Sequence, residues 1–166
     1  MKKSFLFLAL FAAFAMIVTS CSKSSSSNGG TNYGTITFGN QTFTIAHSGY
    51  TVDYDEDLEA NILGIGLATS DDKKGAAIAI PFYSTVPTGQ FAITISETPE
   101  EGVCGLAIVL NEVPAYIATQ GSITINQNGS DYTIDASGST MSIAGGDVKA
   151  FTLHFTGPLP YYKDEE

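Results

Sequence analysis

From Tyr33 onward apolar and polar residues alternate, and no window repeats its apolar residues at the i, i+3, i+4, i+7 spacing of a helix. Runs rich in Ile, Thr, Phe, Tyr and Val are split by Gly, Asn, Asp, Ser and Pro, the punctuation of strands and turns. The pattern predicts strands over 33–38, 41–47, 60–69, 75–83, 90–96, 103–110, 120–127, 131–137 and 147–156. Weaker candidates are 50–54, 114–118 and 140–144. Roughly nine to eleven short strands in one domain define an all-β fold, an antiparallel β-sandwich or β-barrel.

Two hairpins can be tested by parity. With Gly39-Asn40 as a two-residue turn, Ile36 faces Phe43 and Thr37 faces Thr42. The apolar pair falls on one face and the threonines on the other. With Asn128-Gly129 as a turn, Ile125 faces Tyr132 and Ile123 faces Ile134. A one-residue slip in either would send the hydrophobes to the wrong face. The two hairpins also resemble each other. Gly34-Thr-Ile-Thr-Phe leads to Phe43-Thr-Ile, and Gly121-Ser-Ile-Thr-Ile leads to Tyr132-Thr-Ile, with a second turn expected to be longer. Duplication and convergence on half-buried Thr/Ile alternation both account for this.

The middle of the chain supplies most of the core. Leu63, Ile65 and Leu67 point one way, and Ile62, Gly64, Gly66 and Ala68 the other. Ile78, Ile80 and Phe82 oppose Ala77 and Ala79, so the second face carries little bulk. Phe91, Ile93 and Ile95 form a third apolar face, and Phe151, Leu153 and Phe155 a fourth. Val103–Leu110 is apolar on both faces, which places it centrally.

The first 32 residues follow a different grammar. Lys2 and Lys3 precede Phe5–Val18, an uncharged apolar run too short for the ~20 residues of a membrane span. Val18-Thr-Ser-Cys21 then resembles the lipobox of bacterial lipoproteins, with Val18 where Leu is commonest and Thr19 where Ala or Ser is commoner. The resemblance implies a signal peptide over 1–20, cleavage before Cys21, and acylation of Cys21. Several acyl chains anchor stably where one alone is marginal. An ordinary signal peptide with an incidental Cys21 is the alternative. Residues 22–32, SKSSSSNGGTN, are a Ser/Gly/Asn tether. Its random-coil reach is on the order of 18 Å, which keeps the domain at 33–166 close to a bilayer. Ser22 after the Cys, with no Asp retention signal, points by resemblance to the cell outer membrane. The absence of an acidic run favours a periplasmic face over a surface one.

Charge narrows the partners. The chain has 7 basic and 17 acidic residues, and every basic residue is Lys. Loss of Lys2 and Lys3 leaves a net charge near −12, which repels phosphate backbones and excludes nucleic acid as a partner. Without Arg, bidentate recognition of phosphate or carboxylate is lost. Two His and two Cys cannot assemble a zinc cluster. No cofactor is expected.

Few residues carry candidate chemistry. Asp53, Asp55, Asp57 and Glu59 echo positions 1, 3, 5 and 7 of an oxygen-rich Ca²⁺ loop. The pattern then breaks, with Leu58 where Gly is needed and Gly64 where a bidentate Glu is needed. A solvated acidic loop is the plainer reading. Cys104 lacks positive neighbours, so a buried, inert thiol is expected. His47 sits near a strand end and His154 on the polar face of 147–156, with no G-x-S-x-G nucleophile motif in the chain. Tyr50, Tyr54, Tyr83, Tyr116, Tyr161 and Tyr162 are candidates for a ligand surface or for rings buried with wet hydroxyls.

Three stretches together resemble uncharacterised small all-β lipoproteins of gut anaerobes. They are Phe82-Tyr-Ser with Val86-Pro-Thr-Gly-Gln-Phe91, then Gly121–Ile125 with Tyr132-Thr-Ile, then Phe155-Thr-Gly-Pro-Leu159. The resemblance implies a lipocalin-like barrel or sandwich, and it carries over no functional residue except Cys21. The expectation is a lipid-anchored, non-enzymatic binding or structural β domain, its protein or glycan partner unknown. The alternatives are a lipocalin-like carrier of a small apolar ligand and a fimbria-like assembly subunit that pairs through an edge strand.

Overall fold

The computed structural model describes residues 32–56, 59–95 and 100–162. The leader, Cys21, nearly all of the tether, and Asp57 lie outside them. Ten strands run in chain order: β1 (Gly34–Phe38), β2 (Gln41–Ile45), β3 (His47–Asp55), β4 (Ala60–Ala68), β5 (Lys74–Pro81), β6 (Gly89–Thr94), β7 (Val103–Leu110), β8 (Val113–Asn128), β9 (Asp131–Ser142) and β10 (Val148–Pro158). They form one sheet in the order β2-β1-β10-β9-β8-β6-β7-β5-β4-β3, and β8 also pairs with β7. All pairings are antiparallel except β6–β7, which is parallel through Ala92↔Val103 and Ile93↔Cys104.

The sheet is curled into a half-barrel, because one of its faces must bury itself. Ile36, Phe43, Leu63, Ile78, Phe91, Leu106, Ile123, Ile134 and Phe155 come from nine different strands and belong to a single buried cluster. A flat sheet could not bring them together. The tail after β10 draws the two ends of the curl towards each other. Tyr50 N–H donates to Pro160 O at 2.9 Å, Tyr162 N–H donates to Tyr50 O at 2.8 Å, and Ser48 Oγ–H donates to Pro158 O at 2.7 Å. Cys104 points into this core, where burial pushes its thiol up to about 12.

The Gly39-Asn40 hairpin has the expected register, Ile36↔Phe43 and Thr37↔Thr42. The second hairpin turns one residue later than expected, at Gly129-Ser130, with Asn128↔Asp131, Ile125↔Ile134 and Ile123↔Ala136. Face assignment survives, since each partner moves by two positions. Both turns are therefore two residues long, and the extra length lies in the arms of β8 and β9. The register is set higher up, where Gly121 faces Gly138. A Cβ on Gly121 would sit 2.2 Å from Ser137 O, and one on Gly138 2.1 Å from Gln120 O. Gly34, the matching residue of the first hairpin, makes its close approach to β10 instead, with φ near +145° and His154 O only 1.9 Å from a would-be Cβ. The repeated glycine marks a close strand–strand approach in both places, to the hairpin partner β9 at Gly121 and to β10 at Gly34.

Three sequence expectations are corrected. The separate strands at 114–118 and 120–127 are one strand, β8, broken in parity by a bulge at Thr119, so Ala118 and then Ile123 both point inward. Phe82 is 46 % exposed with φ +73°, because β5 ends at Pro81. Ile95 is 42 % exposed and lies beyond β6.

A second apolar cluster occupies the opposite, outer face of β4, β5, β7 and β8: Ile62, Ala68, Ala77, Ala79, Ala107, Val109 and Ile117. Two cross-strand rows define it, Thr51↔Gly64↔Ala79↔Gly105 and Gly49↔Gly66↔Ala77↔Ala107↔Ile117.

Candidate functional site

On the outer face of the other half of the sheet, Thr, Ser, His and Asp line up in rows. One row runs Thr44↔Thr35↔His154↔Asp135↔Thr124↔Gln90, crossing β2, β1, β10, β9, β8 and β6. The next runs Thr42↔Thr37↔Thr152↔Ser137↔Ser122. These are the polar partners of the inward Ile36, Leu153, Ala136 and Ile123, so the alternation that builds the core also builds this face. Threonine suits both tasks, with a branched Cβ favoured in strands and a hydroxyl that both donates and accepts.

This face lies on the outside of the curl. A shallow cavity of about 400 Å³ is lined by Thr35, Ser122, Thr124, Asp135, Ser137 and His154, with Ala136, Thr152 and Leu153 beneath. His154 Nδ1 lies 2.6 Å from Asp135 Oδ1, and both side chains are more than half exposed. A carboxylate oxygen accepts, so His154 Nδ1–H donates to Asp135 Oδ1. Among the described residues no hydroxyl hydrogen-bonds Nε2, so a nucleophile–base contact is not formed. Elsewhere hydroxyls pair across strands, Thr37 with Thr42 at 3.1 Å and Thr133 with Thr156 at 3.3 Å. The arrangement offers many weak, uncharged hydrogen bonds on a rigid scaffold.

The remaining sequence candidates lie apart from it. His47 opens β3 and meets Asp72 Oδ1 at 2.6 Å, pinning the β4–β5 loop to the sheet. In that loop the Thr69 hydroxyl and the Lys73 amide hold the Asp71 carboxyl below its usual value. Asp53 and Asp55 are part of β3 rather than a loop, Glu59 lies in the following turn with φ +50°, and Asp57 is outside the described residues. Among the described residues no three His, Cys, Asp or Glu side chains group as metal ligands.

The tyrosines do not converge on one site. Tyr50 stacks near Tyr161 at 5.2 Å, and burial, then Tyr132 and Tyr161, raise its phenol. Tyr83 packs edge-on against Phe91, and Tyr116 against Phe38. A cluster missed in the sequence is Tyr116–Asp147–Lys149. Tyr116 O–H donates to Asp147 Oδ2 at 2.7 Å, and Lys149 Nζ donates to Tyr116 Oη at 3.0 Å. The Tyr116 bond and then Lys149 hold the Asp147 carboxyl below its usual value. Asp147 and Lys149 are two residues apart, but Tyr116 joins them only through the pairing of β8 with β9.

Compared with known proteins, the chain matches no family model, no curated protein and no solved structure.

Proposed function

We propose that the chain is a lipid-anchored protein of the cell envelope whose β domain binds an uncharged, hydroxyl-rich ligand, a glycan, without catalysing a reaction. In this reading residues 1–20 are a leader, Cys21 is acylated in the outer membrane, and residues 22–32 hold a barrel-like domain near the bilayer. The observation that carries the binding half is the pair of hydroxyl-bearing rows, one of them containing His154 and Asp135, that line an open, shallow cavity on the outer face. Sugar hydroxyls and amides match such a surface one bond at a time. The strongly acidic surface disfavours anionic ligands.

The apolar-carrier alternative needs a void inside the curl, where Leu63, Ile78, Leu106 and Phe155 are packed with no exposed surface. The assembly alternative needs a free edge, and β2 offers five residues.

Two measurements test the reading. Cys21→Ala is expected to move the protein from the membrane to the soluble envelope fraction, and unchanged membrane partition would remove the anchor. In titrations with a panel of neutral oligosaccharides, His154→Ala and Thr124→Val are each expected to weaken binding about tenfold, the loss of one good hydrogen bond. Binding that neither variant alters, or none at all, contradicts the site.

A further inference from the structure

We infer that the hydroxyl-lined face takes the interior of a linear, neutral polysaccharide laid across the strands, rather than a single sugar or a chain end. This rests on the glycan reading above and adds the length and direction of what is bound. The shape of the cavity selects such a ligand. Its lining comes from four neighbouring strands, β1, β10, β9 and β8. Along β9 it takes in only two outward positions, Asp135 and Ser137, and along β8 only Ser122 and Thr124. Four strands measure ~14 Å from the first to the last, and two outward positions lie ~7 Å apart. The cavity is therefore about twice as long across the sheet as along it.

The row outlasts the cavity at both ends. It continues to Thr44 on the edge strand β2 and to Gln90 on β6, and both residues are exposed. Six strands in register make a track of ~24 Å. Since both of its ends face solvent, a chain that enters over β2 can leave over β6, and no pocket captures a terminus.

The chemistry of the track points the same way. Its side chains are hydroxyls and one amide, and its only ionisable groups, His154 and Asp135, are paired with each other. Neither row contains an aromatic ring. A lone sugar needs a ring to stack on or a deep pocket to fill, and this face supplies neither. Weak hydrogen bonds hold a ligand when many of them act on one molecule that loses its translational freedom only once. Strands repeat every ~4.8 Å, and an extended glycan advances by a comparable length per sugar, so each strand meets about one ring. The acidic surface keeps the polymer neutral.

The test titrates the full chain, in a sugar-free detergent, with dimers, tetramers and hexamers of the cello-, manno-, xylo- and malto-oligosaccharide series. In a series that binds, affinity is expected to rise about tenfold from dimer to tetramer and a few-fold more to the hexamer. Thr44→Val and Gln90→Ala, at the two ends of the track, are each expected to weaken hexamer binding about threefold. The double variant Thr133→Val with Thr156→Val lies one outward position further along β9 and β10, outside the cavity, and is expected to leave hexamer binding unchanged. The length series needs no substitution, so it decides the matter even where a variant folds poorly. A hexamer no tighter than the dimer overturns the inference, while the glycan reading stands as long as His154→Ala weakens binding. Loss in the Thr133/Thr156 variant, with none in Thr44→Val or Gln90→Ala, turns the ligand along the strands and overturns it as well. Absence of binding at every length contradicts the glycan reading itself, and this inference with it.

Discussion

Phe155→Ala is expected to lower stability by about 3–5 kcal/mol, a melting shift of roughly 10–20 °C for a domain of this size. Phe155 is fully buried in β10, between Gly34 of β1 and Ile134 of β9, with the Tyr33 ring 6.0 Å away. Its strand lies between β1 and β9, so truncation opens a cavity among residues held by three strands. Thr156→Ala, one residue on but facing outward, is expected to change stability by no more than about 0.5 kcal/mol. Thermal melts followed by circular dichroism compare the two. A Phe155→Ala shift no larger than that of Thr156→Ala would place the core elsewhere.

Gly121→Ala is the second large effect. At φ +151° the residue is in a conformation that side chains rarely adopt, and its Cβ would fall 2.2 Å from Ser137 O and 2.9 Å from Gly138 Cα. Both obstacles are backbone, so the methyl can be accommodated only by parting β8 from β9, the most extensive pairing of the sheet. The expected cost is about 3 kcal/mol or more. Gly102→Ala, also at positive φ but with open space around its Cβ, isolates the conformational part and is expected to cost about 1 kcal/mol. Denaturant midpoints decide between them. Equal midpoints would mean that the close approach at Gly121 does not exist.

These glycines also show what could be read in the sequence and what could not. Period-2 alternation located strands with one face in the core and one in water, such as β2 and β10, whereas β4, β5 and β7 are buried on both faces and stood out as apolar runs. The Gly39-Asn40 register followed from parity alone. The second turn was misplaced because Asn128-Gly129 is a strong local signal, whereas the register is decided eight residues away by two glycines that must face each other. The bulge at Thr119 hid the continuity of β8, since an extra residue reverses parity midway. Phe82 and Ile95 fitted their alternations but fell just beyond strands that had ended. His154 was legible as a residue of a polar face. Its partner Asp135 was not, because their contact depends on the β9–β10 register rather than on any local spacing. The parallel β6–β7 pair and the docking of the tail on β3 are long-range pairings that leave no mark on local periodicity.

The proposed binding face is tested most directly by amide hydrogen exchange of the protein with and without a neutral oligosaccharide. Protection is expected along β1, β10, β9 and the second half of β8, around Thr35, His154, Asp135 and Thr124, with no change at β3 or in the tail. Protection centred on Tyr50 and Tyr161 at the mouth of the curl, or along the β2 edge, would contradict the hydroxyl-lined face as the binding site.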